Sequence, residues 1–98
     1  MKVLLFLLGC FSLSQEAFAY SKLQCREILV RDLGRSESDA YQNCGNNETF
    51  NFCIVDMTRK GHKPSEGYNN CSSNPDHNRC LFNKMREGLT PNAAYQQC

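Results

Sequence analysis

Seven cysteines stand in this 98-residue chain, and their thiols are the groups best equipped for chemistry: they oxidise in pairs, bind soft metals or attack as thiolates. Spacing decides among these. There is no Cys-x-x-Cys pair anywhere, which argues against a redox dithiol. Cys71, His77 and Cys80 could be drawn around zinc, with His62 the only other histidine, but thiols of an exported chain are oxidised rather than metallated. Asp56, Glu66 and Asp76 could supply a carboxylate pair for acid–base work, yet nothing in the sequence holds them together, and exposed helix carboxylates are normally solvated. With no nucleophile beside a base, the expectation is a protein without catalytic residues, cofactor or bound metal.

Export follows from the first nineteen residues. Lys2, the apolar run Val3 to Leu13 and the small-residue segment Ala17-Phe18-Ala19 have the layout of a secretory signal peptide cut after Ala19. The run is well short of the roughly 20 residues needed to span hydrocarbon. Leu7-Leu8-Gly9-Cys10 has the look of a lipobox, but it sits too early, with Phe11 and Leu13 still apolar behind it. Cleavage removes Cys10 and leaves an even six, a disulfide framework for a secreted or periplasmic domain spanning residues 20–98. A chain of this size has too small a core to stand unaided. Lys2 and Glu16 leave together, so the formal net charge of +1 is unchanged. Interleaved charges argue against nucleic acid or an anionic membrane as partner.

The elements that must carry these cysteines are marked by an interval of 27 residues. It separates Gly34, Gly61 and Gly88, then Tyr41, Tyr68 and Tyr95, then Cys44, Cys71 and Cys98, and also Cys53 and Cys80. Self-similarity of this kind is the signature of a tandem array. The units run Cys25–Cys44, Cys53–Cys71 and Cys80–Cys98, and the first holds one extra residue. Each opens with apolar residues at helical spacing: Ile28, Leu29 and Leu33, then Ile54 and Met57, then Leu81 and Met85. Each glycine then stands where a helix ends on a left-handed residue. A second helix follows, capped by Ser36 or Thr90, with Pro64 or Pro91 in its first turn and Lys63 breaking the cap pattern. Tyrosine and cysteine three apart predict a shared inward face.

The fold class is therefore all-α: three tandem αα-hairpins, each with cysteine at both ends of its open side. That geometry favours Cys25 with Cys44, Cys53 with Cys71, and Cys80 with Cys98. Each bond closes a loop worth about 3 kcal/mol. The competing set crosses the linkers, Cys44 with Cys53 and Cys71 with Cys80, and asks Cys25 to meet Cys98. Whether the hairpins form an open solenoid or a closed bundle is left open by two junctions alone.

The linkers Gly45 to Thr49 and Ser72 to Asp76 are polar and turn-rich. Asn47-Glu48-Thr49 is a glycosylation sequon, and Asn70-Cys71-Ser72 a poorer one. Phe50 and Phe52 stand out because the next linker has His77 and Arg79 in their places. They either seal the junction between hairpins or form an exposed binding patch. The functional expectation is an exported, non-enzymatic interaction or structural module, binding a protein or an envelope component. The alternative is a secreted effector such as a toxin, antimicrobial or enzyme inhibitor, and near-zero charge counts against a membrane-lytic one.

Overall fold

The computed structural model describes residues 19–98, so the signal-peptide segment, its lipobox alternative and Cys10 lie outside the described residues. Six helices and no strand are found among them. They are α1 (Lys22–Glu27, continued by the π-helical stretch Ile28–Asp32), α2 (Glu37–Asn43), α3 (Glu48–Arg59), α4 (Pro64–Asn70), α5 (Pro75–Arg86) and α6 (Pro91–Gln97). The protein is a small cysteine-rich all-α array of three hairpins, α1/α2, α3/α4 and α5/α6. Disulfides join Cys25 to Cys44, Cys53 to Cys71 and Cys80 to Cys98, with a Cα–Cα distance of 5.9 Å in every case.

Local signals in the sequence place the helix ends. Gly34, Gly61 and Gly88 have φ of 70°, 99° and 105°, a left-handed conformation that side chains resist, and this ends each first helix cleanly. Ser36 and Thr90 accept from the N–H groups of Asp39 and Ala93. Lys63 has no acceptor to offer α4, and the Glu66 carboxylate instead reaches back to the Lys63 N–H at 3.0 Å, which is half of a capping box. The extra residue of the first unit is absorbed by the π-helical stretch Ile28–Asp32. One widened turn lets the hairpin keep its disulfide and its glycine stop.

The first helices begin earlier than their cysteines. α3 and α5 start at Glu48 and Pro75, capped by Asn47 and Asn74, so part of what reads as linker is helix. Cys53 and Cys80 consequently sit mid-helix and do not open their hairpins. The linkers that remain are held by a repeated side-chain clamp. Asn51 Oδ1 accepts from the Gly45 N–H and its Nδ2 donates to the Gly45 carbonyl, both at 2.8 Å. Asn78 does the same to Ser72 at 2.9 Å. Both asparagines are buried, and each satisfies backbone groups that no helix or strand would pair.

The core runs through Cys25, Leu29, Ala40, Ile54, Val55, Met57, Leu81 and Ala94, and is richest in α3. Ala40, Gly67 and Ala94 recur at the 27-residue interval, all buried. A Cβ on Gly67 would come within 3.1 Å of Ile54 Cα, so the two arms of the middle hairpin meet here too closely for a side chain. Contacts between elements settle how the hairpins assemble. α1 packs on α3, and the second helices pack in sequence, α2 on α4 and α4 on α6. All substantial contacts lie within a hairpin or between consecutive hairpins, which is the open, nearest-neighbour arrangement of a repeat array.

Candidate functional site

The tyrosines correct one expectation. Tyr41, Tyr68 and Tyr95 do not point inward: they are 69%, 54% and 47% exposed. The reason lies at the helix ends. Cys44 and Cys71 are C-cap residues in extended conformation, ψ 135° and 158°, so the three-residue rule for a shared helix face does not carry through to them. The inward position is one residue earlier, at Ala40, Gly67 and Ala94.

Each tyrosine is nonetheless held from one side by the first helix of its own hairpin. The Arg26 guanidinium carbon lies 4.5 Å from the centre of the Tyr41 ring, a cation–π contact. Phe50 meets Tyr68 edge-on at 5.7 Å, and His77 meets Tyr95 in the same way at 5.1 Å. Phe50 and His77 are equivalent positions of consecutive units. His77 Nε2 also lies 3.0 Å from the Asn70 carbonyl, an acceptor that requires the proton on that nitrogen. The rings are thus buttressed yet open to solvent.

One turn of helix on either side of each tyrosine repeats as well. Ser38, Ser65 and Asn92 precede it by three residues, and Gln42, Asn69 and Gln96 follow it by one. All are exposed; the residue three before each tyrosine shares its helix face, and the amide one after it stands about 100° further round the helix. α2, α4 and α6 pack in order, so the three exposed tyrosines follow one another from helix to helix, flanked by hydroxyls and amides with no charge at those nine positions. At the Tyr41 end lies a shallow cleft of about 320 Å³ whose lining includes Arg26, Arg31, Glu27 and Glu37, two of each sign.

A second concavity separates α3 from α5. Tyr20 seals the preceding junction: its ring lies 5.5 Å from that of Phe52, its N–H donates to the Glu48 carbonyl at 3.2 Å, and its carbonyl accepts from Asn51 Nδ2 at 3.0 Å. No equivalent residue covers α5. A groove of about 360 Å³ remains there, lined by Phe52, Asp56 and Lys60 on one side and Arg79, Phe82 and Arg86 on the other. Phe82 takes the place of the fully buried Val55 and is only partly buried, with Lys60 Nζ 5.1 Å from its ring centre.

The remaining sequence candidates are dispersed. Phe50 packs partly buried against the core, and Phe52 meets the Tyr20 ring and also lines the groove. Asp56, Asp76 and Glu66 lie in separate local pairs with Lys60 at 3.1 Å, Arg79 at 2.7 Å and His62 at 3.7 Å. Cys71 and Cys80 are each bonded elsewhere. Among the described residues no three or more His, Cys, Asp or Glu converge, and no helix there is long and apolar enough to cross a membrane. Asn70 is buried, with its amide donating to the Glu66 carbonyl at 2.8 Å and Asn92 Oδ1 at 3.0 Å, whereas Asn47 is exposed.

No protein family, curated protein or solved structure matches this chain.

Proposed function

We propose that this protein is an exported binding module that acts by holding a partner and carries out no chemistry on it. The observation that carries the reading is the row Tyr41, Tyr68 and Tyr95. Three large aromatic side chains at one repeat position are left half-exposed or more, though their helices have a buried face available one residue away. Folding gains little from them there. Binding gains much, since a tyrosine held in place offers broad contact area at low entropic cost. Three disulfides support the extracytoplasmic setting, and the dispersal of Asp56, Glu66 and Asp76 over separate local partners supports a non-catalytic role.

The test places a photo-crosslinking phenylalanine analogue at residue 68 in the exported protein, with the same analogue at Lys84 as control, and irradiates the producing cells. A discrete adduct with an extracytoplasmic macromolecule, formed from residue 68 and absent from residue 84, is the expected result. Absence of any adduct from residues 41, 68 and 95 would overturn the reading.

A further inference from the structure

We infer that the tyrosine row binds a neutral polysaccharide along the layer formed by α2, α4 and α6, an inference that rests on the reading of the protein as a binding module. Three properties of the face select this class of partner. The first is charge. Of the chain's residues 21% are charged, yet the positions beside the three rings are Ser38, Ser65 and Asn92 and Gln42, Asn69 and Gln96, so these flanking side chains offer an ionic ligand no counter-charge. At the Tyr41 end the four charges of the adjoining cleft cancel.

The second property is the pairing of aromatic face with amide. A pyranose presents a patch of C–H groups on each face of its ring and hydroxyls around its edge. The C–H groups are slightly positive and fit the negative face of a tyrosine ring. The hydroxyls both donate and accept, as do the amides of Gln42, Asn69 and Gln96. A polyproline stretch, the other ligand suited to tyrosine surfaces, offers carbonyl acceptors alone and would leave half of that capacity unused.

The third property is repetition. A tyrosine with a polar residue three before it and an amide one after it occurs once per hairpin, on helices that pack in sequence, so the layer offers three similar sites in succession. A polymer of identical sugar units satisfies such a face in a way that a folded partner of irregular surface does not. Linking three weak sites in one ligand also raises avidity without any new contact. The rings are preorganised for it, since Arg26, Phe50 and His77 hold Tyr41, Tyr68 and Tyr95 from the protein side. Less side-chain freedom is then lost on binding.

The test is affinity electrophoresis of the disulfide-bonded protein through native gels containing a neutral β-glucan, a mannan or a dextran. A heparin gel and a fluorescent polyproline peptide, the latter titrated in solution, serve as comparisons. The expected result is retardation by at least one neutral polysaccharide that persists in about 1 M salt, where charges are screened beyond roughly 3 Å. Tyr68→Ala should weaken it at least about tenfold, the equivalent of about 1.4 kcal/mol, while Tyr68→Phe, which keeps the ring, should stay within about threefold. Helix content and the three disulfides of each variant are checked first, and Tyr95→Ala is the second variant should Tyr68→Ala misfold. Failure of all three polysaccharides to retard the protein overturns the inference, as does retardation indifferent to both alanine variants or abolished by salt. Tyr68-dependent binding of the polyproline peptide in place of the glycans also overturns it, but leaves the binding-module reading standing. Absence of crosslinked adducts from the row removes both.

Discussion

Asn51 shows how much a single side chain does in a chain with so small a core. Its amide closes two hydrogen bonds on Gly45 and a third on the Tyr20 carbonyl, tying the linker and the start of the described chain to α3. Asn78 makes only the two bonds to Ser72. Replacing either by alanine strands buried backbone groups, at roughly 1–3 kcal/mol. Urea denaturation should therefore rank Asn51→Ala as more destabilising than Asn78→Ala by about 1 kcal/mol, and equal losses would show that the Tyr20 bond contributes nothing. The clamp was within reach of the sequence, because Asn51 and Asn78 obey the same 27-residue interval as the cysteines, but a polar residue inside a helix gives no hint that it faces a linker. The outward turn of the tyrosines was not legible, since it depends on where each helix stops relative to its cysteine.

Among the elements, α1 and α6 test the hairpin account from opposite ends. α1 absorbs an extra residue as a π-helical stretch. Deleting the exposed Arg31 should restore an ordinary α-helix and leave the Cys25–Cys44 bond intact, with a melting temperature within a few degrees of the parent. Loss of the bond would mean that the widened turn is required by the fold. α6 is seven residues long, too short to persist without its staple. Cys98 is exposed and Cys80 half-buried, whereas Cys53 and Cys71 are buried, so a graded dithiothreitol titration read by alkylation should open Cys80–Cys98 first. Earlier opening of Cys53–Cys71 would contradict the burial pattern. Hairpin count, arm order and glycine stops were all readable from the 27-residue interval. The early starts of α3 and α5 were signalled by Asn47 and by Asn74-Pro75, whose cap chemistry resembles that of a turn.

Across the whole molecule, stability should fall from the centre outwards. The middle hairpin packs on a neighbour at each side, and the outer hairpins on one, so a nearest-neighbour array must lose its ends before its middle. Amide exchange should be slowest at Ile54, Val55 and Met57, all fully buried in α3, and faster in α6 and α1. Uniform protection from end to end would instead describe one closed bundle. Nothing in the sequence separates these two architectures, because both use the same hairpins and differ only in how the helices meet. What does separate the hairpin chain path from one bonded across the linkers is its disulfide connectivity. Disulfide mapping of the protein isolated from its producing cells, by non-reducing proteolysis and mass spectrometry with the N-terminal residue read from the same digest, tests this most directly. The account predicts a chain beginning at Tyr20 with bonds Cys25–Cys44, Cys53–Cys71 and Cys80–Cys98; bonds across the linkers, Cys44–Cys53 and Cys71–Cys80, would contradict it.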